Sequence, residues 1–528
     1  MYSPISKEPR LTGGPFIPRL CAVKRGLQDV LLGTSVAVTL DENELVALDE
    51  EASEVVFLIR TIRNRRAPIN RLPRDVLALI PQFFDGQERA KIAIVLTHVC
   101  RAWREVFISL ASLWTDFDCA DAAKTRCYFD RSKLAPVSMR LNRPTGFFPN
   151  DPFLEVFPQL ISRLKRLTVK TTPGYLQDIT QHLVHRAPLL EALSINASHL
   201  DTRASSALTT DIFDGDLASL RELHLFSATT QLSWRNMNNL TSISMVYALD
   251  PAVSVGQVLD FLESAPRLLT ITLLFSASLS TSAAQNGRLV SLARLTRLSI
   301  CGSQRPSILL DHLIIPVGAG VFTVLDSPGP NIDDHLPKSL ENLRNLSHFT
   351  KISLFYESDP YTEWTSIQFT GPNGEVRITS SSYTPDAMSV VPQSLARFDT
   401  SKTRCLEVVG SEFTTELRQA LLSLTNLRTL IISECRDILP FLFETDPMSS
   451  PDTSIVCPRL KELTVSVYDE CDMDSLIEIA VAREWEGAQL NFVKIFSCGE
   501  PVLMERVEEL LEYVSRVEIN TKVDEEEN

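Results

Sequence analysis

Leu220-Arg221-Glu222-Leu223-His224-Leu225 carries apolar residues at its first, fourth and sixth positions. The last two flank a polar residue, the alternation of a strand that buries one face. Upstream the same spacing stands at Leu164-Leu167-Val169 and Leu190-Leu193-Ile195. Downstream it returns at Leu240-Ile243-Met245, Leu268-Ile271-Leu273, Leu295-Leu298-Ile300, Phe349-Ile352-Leu354, Leu427-Leu430-Ile432, Leu460-Leu463-Val465, Leu490-Val493-Ile495 and Val514-Val517-Ile519. Such a recurrence is explained by short parallel strands whose apolar side chains enter a shared core, each followed by a helix or loop that returns to the next strand. No single copy can bury its own face, so stacking must supply the cover.

Outside two longer gaps the spacing averages about 27 residues, within the roughly 20 to 29 of leucine-rich repeats. Helical apolar spacing predicts helices in several connections, over 175–186, 255–264, 414–424, 474–485 and 503–513. Gly371-Pro372-Asn373-Gly374 instead joins two alternating runs, and its Asn-Gly step predicts a tight hairpin. The asparagine that regular leucine-rich repeats place after the strand is mostly absent. The expected architecture is therefore a degenerate leucine-rich-repeat-like α/β solenoid over 161–522, with buried strands of an unrelated α/β domain as the alternative. Strand positions facing away from the core include Glu222, His224, Thr272, Lys351, Ser353, Thr429, Glu462 and Thr464. Among these open positions Phe226, Leu274, Phe355 and Ile431 suit the centre of a protein interface and are the candidate substrate-binding residues.

Near the other end, Asp41 with Glu44 three residues later predicts a capping box and a helix that stops before Pro68. Its apolar positions Leu45, Leu48, Ala52, Val55, Ile59 and Ile62 alternate by three and four, which places them on one stripe. The expectation for this amphipathic helix, 41–67, is that it packs on its own chain rather than on a second copy.

Leu72-Pro73-Arg74-Asp75-Val76-Leu77 then reads as a helix start. Pro73 fits the first helical position, and Asp75 sets negative charge against the first-turn amides. Val76, Leu77 and Ile80 share a face, and Pro81 ends or bends the helix near Ile80. A second helix carries Ile92, Val95, Leu96, Val99 and Trp103 at helical spacing.

Leu72-Pro73, Val99-Cys100-Arg101-Ala102-Trp103 and Leu113-Trp114, in this order and spacing, resemble the three landmarks of the F-box family. Pro68-Ile69-Asn70-Arg71 before them, with Thr115-Asp116-Phe117, Arg131-Ser132 and Pro136-Val137 after them, resemble the expanded F-box families of mushroom-forming fungi. Pro81 departs from the commonest pattern. The resemblance implies a small all-helical F-box module over 68–117, followed by a linker or first cap over 118–160. It also implies docking on a Skp-type adaptor that joins a cullin and a RING subunit, so that catalysis lies in those partners and the chain needs no cofactor. The matched positions are Leu72, Pro73, Val76, Leu77 and Ile80 from the first helix and Val99, Cys100 and Trp103 from the second. A protein-interaction scaffold without a ubiquitin-ligase role is the rival, and an enzyme whose site forms from distant residues is a third reading.

Composition narrows the field further. The 528 residues carry 51 Lys and Arg against 66 Asp and Glu, a formal net charge of −15. The densest basic stretch, Arg60 to Arg74, reads as a solvated helix end plus linker, with a nuclear-import patch as the alternative, and nucleic acid is not an expected partner. No apolar run reaches the roughly 18 residues of a membrane span, because 308–325 is broken by Asp311, His312, Pro316, Gly318 and Gly320. Ten cysteines form no C-x-x-C pair, which argues for reduced thiols and against a zinc ribbon. No phosphate-binding loop, nucleophile elbow or metalloprotease helix is present, and Gly318-Ala319-Gly320 reads as a turn. His182 and His185 have no Cys within one turn and read as a surface pair, and the adjacent pairs Asp333-Asp334 and Glu508-Glu509 diverge rather than converge. Residues 1–40 read as a disordered leader, with organelle import as the alternative, and 523–528 as an acidic tail. The expected location is the cytoplasm or nucleus, where the sequons at Asn196, Asn239 and Asn345 carry no meaning.

Overall fold

The structure, a computed structural model, describes residues 24–25, 28–29, 41–84, 86–119, 121–143, 152–197, 206–208, 212–230, 232, 237–250, 253–275, 287–302, 305–326, 332–344, 348–358, 363–382, 395, 397–410, 415–442, 455–498 and 504–521. Most of the leader, the acidic tail and Asn345 lie outside them. The chain divides into two compact units, Met1–Ser109 and Leu110–Asn528.

In the first unit, helix α1 spans Glu42–Arg66 and opens on the expected capping box. The Glu44 amide donates to the Asp41 carboxylate at 2.8 Å, and the Asp41 amide donates to the Glu44 carboxylate at 3.0 Å. Two amides that the helix cannot satisfy internally are thus paired. The helix ends at Ala67, just before Pro68, with Arg63, Arg65 and Arg66 set against its exposed carbonyls. Helix α2 is a single turn, Arg74–Leu77, with Pro73 at its N-cap, one position earlier than expected. It stops three residues short of Ile80, and Pro81 instead sits buried at the start of a 3₁₀ turn, Ile80–Phe83. The predicted second helix is two helices, α3 (Gly86–Val99) and α4 (Arg101–Ser109). Cys100 stands at the break. Its carbonyl accepts from the Arg104 amide at 2.9 Å, while Arg104 Nε donates to the Thr97 carbonyl at 2.9 Å. One arginine thereby satisfies the end of α3 from the first turn of α4. The unit's core holds Leu77, Ala90, Ala93, Leu96, Trp103, Val106 and Phe107, with the Trp103 and Phe107 rings edge to face at 5.5 Å.

The second unit is mixed α/β, built on one open sheet of seventeen strands. In chain order these are β1 (Asp116–Asp118), β2 (Val137–Arg143), β3 (Leu164–Thr171), β4 (Ala192–Asn196), β5 (Glu222–Phe226) and β6 (Ser242–Val246). Then come β7 (Thr270–Phe275), β8 (Arg297–Gly302), β9 (Gly320–Asp326), β10 (Lys351–Ser358), β11 (Glu363–Gly371) and β12 (Gly374–Ser382). The last are β13 (Cys405–Val409), β14 (Thr429–Ser433), β15 (Glu462–Val467), β16 (Phe492–Ser497) and β17 (Val517–Thr521). Across the sheet β1 to β9 follow in order, next come β12, β11 and β10, and β13 to β17 complete it. Every pairing is parallel except the two made by β11.

A single register runs through the sheet. Leu167, Leu193, Leu223, Ile243, Ile271, Leu298 and Val321 pair in succession. The row continues through Val376, Phe369 and Ile352 to Leu406, Leu430, Leu463, Val493 and Val517. Leu223, Leu298 and Leu430 thus occupy one sheet at one level. Removing each such Leu or Ile from water contributes about 1.5–3 kcal/mol, which fixes the register because a one-residue slip would turn the row outward.

Two features depart from simple succession. The hairpin at Gly371–Gly374 forms as predicted around Pro372-Asn373, but it inverts three strands, so the copy on β10 is separated from β9 by two strands. Strands β9 and β13 also join the row although they lack the full leucine spacing. Just before β13, Thr403 occupies the place of the first leucine and is fully buried. On β9 the inward residue is Thr323, explained by the buried His335, whose Nδ1 lies 3.2 Å from its hydroxyl.

The predicted connecting helices are observed over Pro173–Thr180, Val255–Glu263, Thr415–Ser423, Glu470–Trp485 and Met504–Tyr513. The first is shorter than expected, giving way to turns after Thr180, and the fourth starts four residues earlier, where the Asp469 side chain accepts from the Asp472 amide at 3.1 Å. At the end of β8, Gly302 has φ +110°, and a Cβ there would lie 2.2 Å from the Phe275 carbonyl oxygen. Only glycine fits.

The third landmark of the sequence belongs to this unit. Trp114 is fully buried edge-on to Tyr128 at 4.9 Å, with the Arg131 guanidinium 4.4 Å from its ring centre. The unit boundary therefore falls at Ser109/Leu110, inside the expected 68–117 module, because Trp114 finds its packing partners on the helix Ala122–Ser132.

Candidate functional site

The eight positions matched in the first unit separate by burial. Leu77 and Trp103 are 4% and 6% exposed and form the unit's own core. Leu72, Val76 and Val99 are 40%, 39% and 48% exposed, Pro73 is exposed, and Ile80 and Cys100 are half-buried. The division has a local cause. One turn of α2 points Leu77 toward α4, against which α2 packs, and leaves Val76 and the preceding Leu72 facing out. On α3, the inward line is Ala90, Ala93, Leu96 and Thr97, so Val95 and Val99 from the predicted stripe lie open instead. Ile69, Leu79, Phe83 and Ile94 are further exposed apolar residues of this unit that the motif reading did not single out. Their signal in the sequence is weak, since an apolar residue beside a turn looks the same whether it points in or out.

The second candidate surface is the outward face of the sheet. Phe226, Val246, Leu274, Cys301 and Val324 pair in succession across β5 to β9, forming an apolar row. It passes through Thr379 and Ser366 and resumes at Phe355 and Val409. Three of the four predicted positions, Phe226, Leu274 and Phe355, are thereby brought onto one line. Ile431 lies on the neighbouring row, between Glu407 and Thr464. All four are half-buried. The Phe226 ring meets Tyr247 edge to face at 6.3 Å.

The same face holds a concavity of about 310 Å³ lined by Arg297, Ser299, Phe322, Trp364, Arg377 and Thr379. The Arg297 guanidinium lies 4.4 Å from the Phe322 ring centre. Gly320 admits that ring, since a Cβ there would stand 2.9 Å from its edge. Arg377 Nε donates to Ser366 Oγ at 2.9 Å. Neither arginine has a carboxylate partner among the described residues, so the concavity is locally cationic in an acidic protein. These residues are far apart in the chain and meet only because β12 and β11 are inserted next to β9.

The most perturbed titratable groups are closed core positions. Burial holds the His335 imidazole down at about 4 and pushes the Tyr128 hydroxyl and the Cys457 thiol up to about 12. The described cysteines carry no disulfide. Among the described residues no group of three or more His, Cys, Asp or Glu is placed to hold a metal, and no helix is long and apolar enough to cross a membrane. No protein-family model matches the chain, and no curated protein matches it.

Proposed function

We propose that the chain is a substrate-recognition subunit of a Skp–cullin–F-box ubiquitin ligase. Leu72, Pro73, Val76 and Val99 are the docking contacts for a Skp-type adaptor, with Ile80 and Cys100 at their margin. Leu77 and Trp103 act indirectly, by holding the module together. The observation that carries this reading is the split among the matched positions: the small core closes without Leu72, Pro73, Val76 and Val99, which remain in the open. Exposed apolar side chains left over once a small core has closed are available for an interaction surface.

The substrate side of the proposal is the outward face of the repeat-like sheet, where the row of Phe226, Leu274 and Phe355 offers apolar anchors for a protein partner. The regular register across the sheet supports a solenoid-like unit, with the hairpin as an insertion. Placement of Leu113 and Trp114 in the second unit favours the rival reading, a protein-interaction scaffold without a ligase role.

Binding of the purified full-length chain to a Skp-type adaptor tests the proposal. Changing Leu72 and Pro73 together to Ala should weaken binding by about 2 kcal/mol or more, roughly thirtyfold, the size of an interface hot spot. A parent chain that does not bind the adaptor leaves the scaffold reading. A folded double variant that binds as tightly as the parent refutes the assignment of these two residues.

A further inference from the structure

Helix α1 carries a seam that is largely open. Leu45, Ile59 and Ile62 are 51%, 46% and 46% exposed, Ala52 is exposed and Val55 is half-buried, so the expected cover of this stripe is not found among the described residues of its own unit. Six seam positions, Leu45, Leu48, Ala52, Val55, Ile59 and Ile62, repeat at the three-and-four spacing of a two-helix coil along about 27 Å of this 25-residue helix.

The charges on the helix are divided end from end. Residues 41–54 hold seven carboxylates and no Lys or Arg, whereas 55–66 hold Arg60, Arg63, Arg65 and Arg66 and no carboxylate. None of these four arginines makes an ion pair among the described residues. An acidic half and a basic half on one exposed apolar helix complement each other only when two copies run in opposite directions.

We propose that α1 joins two copies of this chain in an antiparallel pair. In that register Leu45 faces Ile62 of the second copy, Ala52 faces Val55, and Ile59 faces Leu48. Asp49 then flanks Arg63 of the second copy, and symmetry repeats this pair at the other end. A parallel pair would instead set Glu44 beside Asp49 twice, a like-charge contact, and would align the two acidic halves. Three heptads make a marginal seam, so the association depends on concentration.

Sedimentation of the full-length chain from about 1 to 100 μM tests the proposal, since a short seam should show its monomer–dimer equilibrium within that span. The mass should rise from one copy toward two. Val55→Asp with Ile59→Asp should keep the chain monomeric throughout, with helical content and the urea midpoint of the rest unchanged. Asp49→Arg should weaken association about fivefold or more, and adding Arg63→Asp should restore it. A monomer at the highest concentration, a species larger than two copies, or a dimer indifferent to the seam variants overturns the proposal. So does an Asp49→Arg variant that associates as tightly as the parent or more tightly, the result a parallel pair would give.

Discussion

Trp103 donates its indole N–H to the side-chain oxygen of Asn70, and the amide of the same Asn70 donates to the Asn64 carbonyl at 2.7 Å. One asparagine therefore ties the last turn of α1 to the core aromatic of α4. Trp103 is nearly buried and Asn70 half-buried, so removing this partner takes away the hydrogen bond the indole N–H makes inside the unit.

Asn70→Ala should cost about 1–3 kcal/mol, the penalty for a buried donor left unpaired. Urea titration followed by tryptophan fluorescence checks this. Combining it with Trp103→Phe should cost less than the two single changes together, because the phenyl ring needs no acceptor.

Leu77 and Leu72 stand five residues apart but on opposite sides of the burial line. Leu77→Ala should lose about 2–5 kcal/mol of stability, as expected for a core truncation. Leu72→Ala should stay within about 0.5 kcal/mol of the parent in stability and act on adaptor binding instead. Denaturation and binding measured on both variants separate the roles; a Leu72→Ala chain as destabilised as Leu77→Ala would place Leu72 in the core.

Gly302→Ala should prevent folding of the sheet or destabilise it by more than about 4 kcal/mol, because both its φ of +110° and the Phe275 carbonyl exclude a Cβ. Gly487, with φ +70° and open space around it, is the matched comparison and should cost only about 1–2 kcal/mol on substitution by Ala. Soluble yield and far-ultraviolet circular dichroism of the two variants give the contrast.

His335 predicts a pH dependence. Burial lowers its folded pKa from 6.5 to about 4, so between those values the unfolded chain binds a proton that the folded chain refuses. Stability from this group is therefore fully present above about pH 6.5, falls as the pH drops toward 4 and is flat below it, a loss of roughly 3 kcal/mol at most. Replacing both partners, His335→Leu with Thr323→Val, removes two buried polar groups and should leave stability at pH 7 close to the parent. The urea midpoint should then fall less between pH 7 and pH 5 than in the parent; an equal fall would exclude His335 as its source.

Much of this architecture is legible from short spacings. The capping box of Asp41 and Glu44 needs only residues three apart, and the register of Leu223 and Leu225 needs only alternation. Copies on β9 and β13 escape that reading because Thr323 and Thr403 replace leucines, and Thr323 makes sense only with His335 beside it. The break at Cys100 likewise depends on Arg104 folding back to cap Thr97.

Spacing along the chain sets which side chains share a face: Leu45 with Ile59 on one helix, Leu223 with Leu225 on one strand. Which of those faces is covered depends on packing between distant segments. Leu77 turns inward and Leu72 outward because α4 packs on one side of a single helical turn, and Arg297 meets Trp364 and Arg377 because a hairpin reverses three strands. Periodicity is a property of neighbouring residues, whereas burial depends on segments tens of residues away, and no local spacing encodes their arrival.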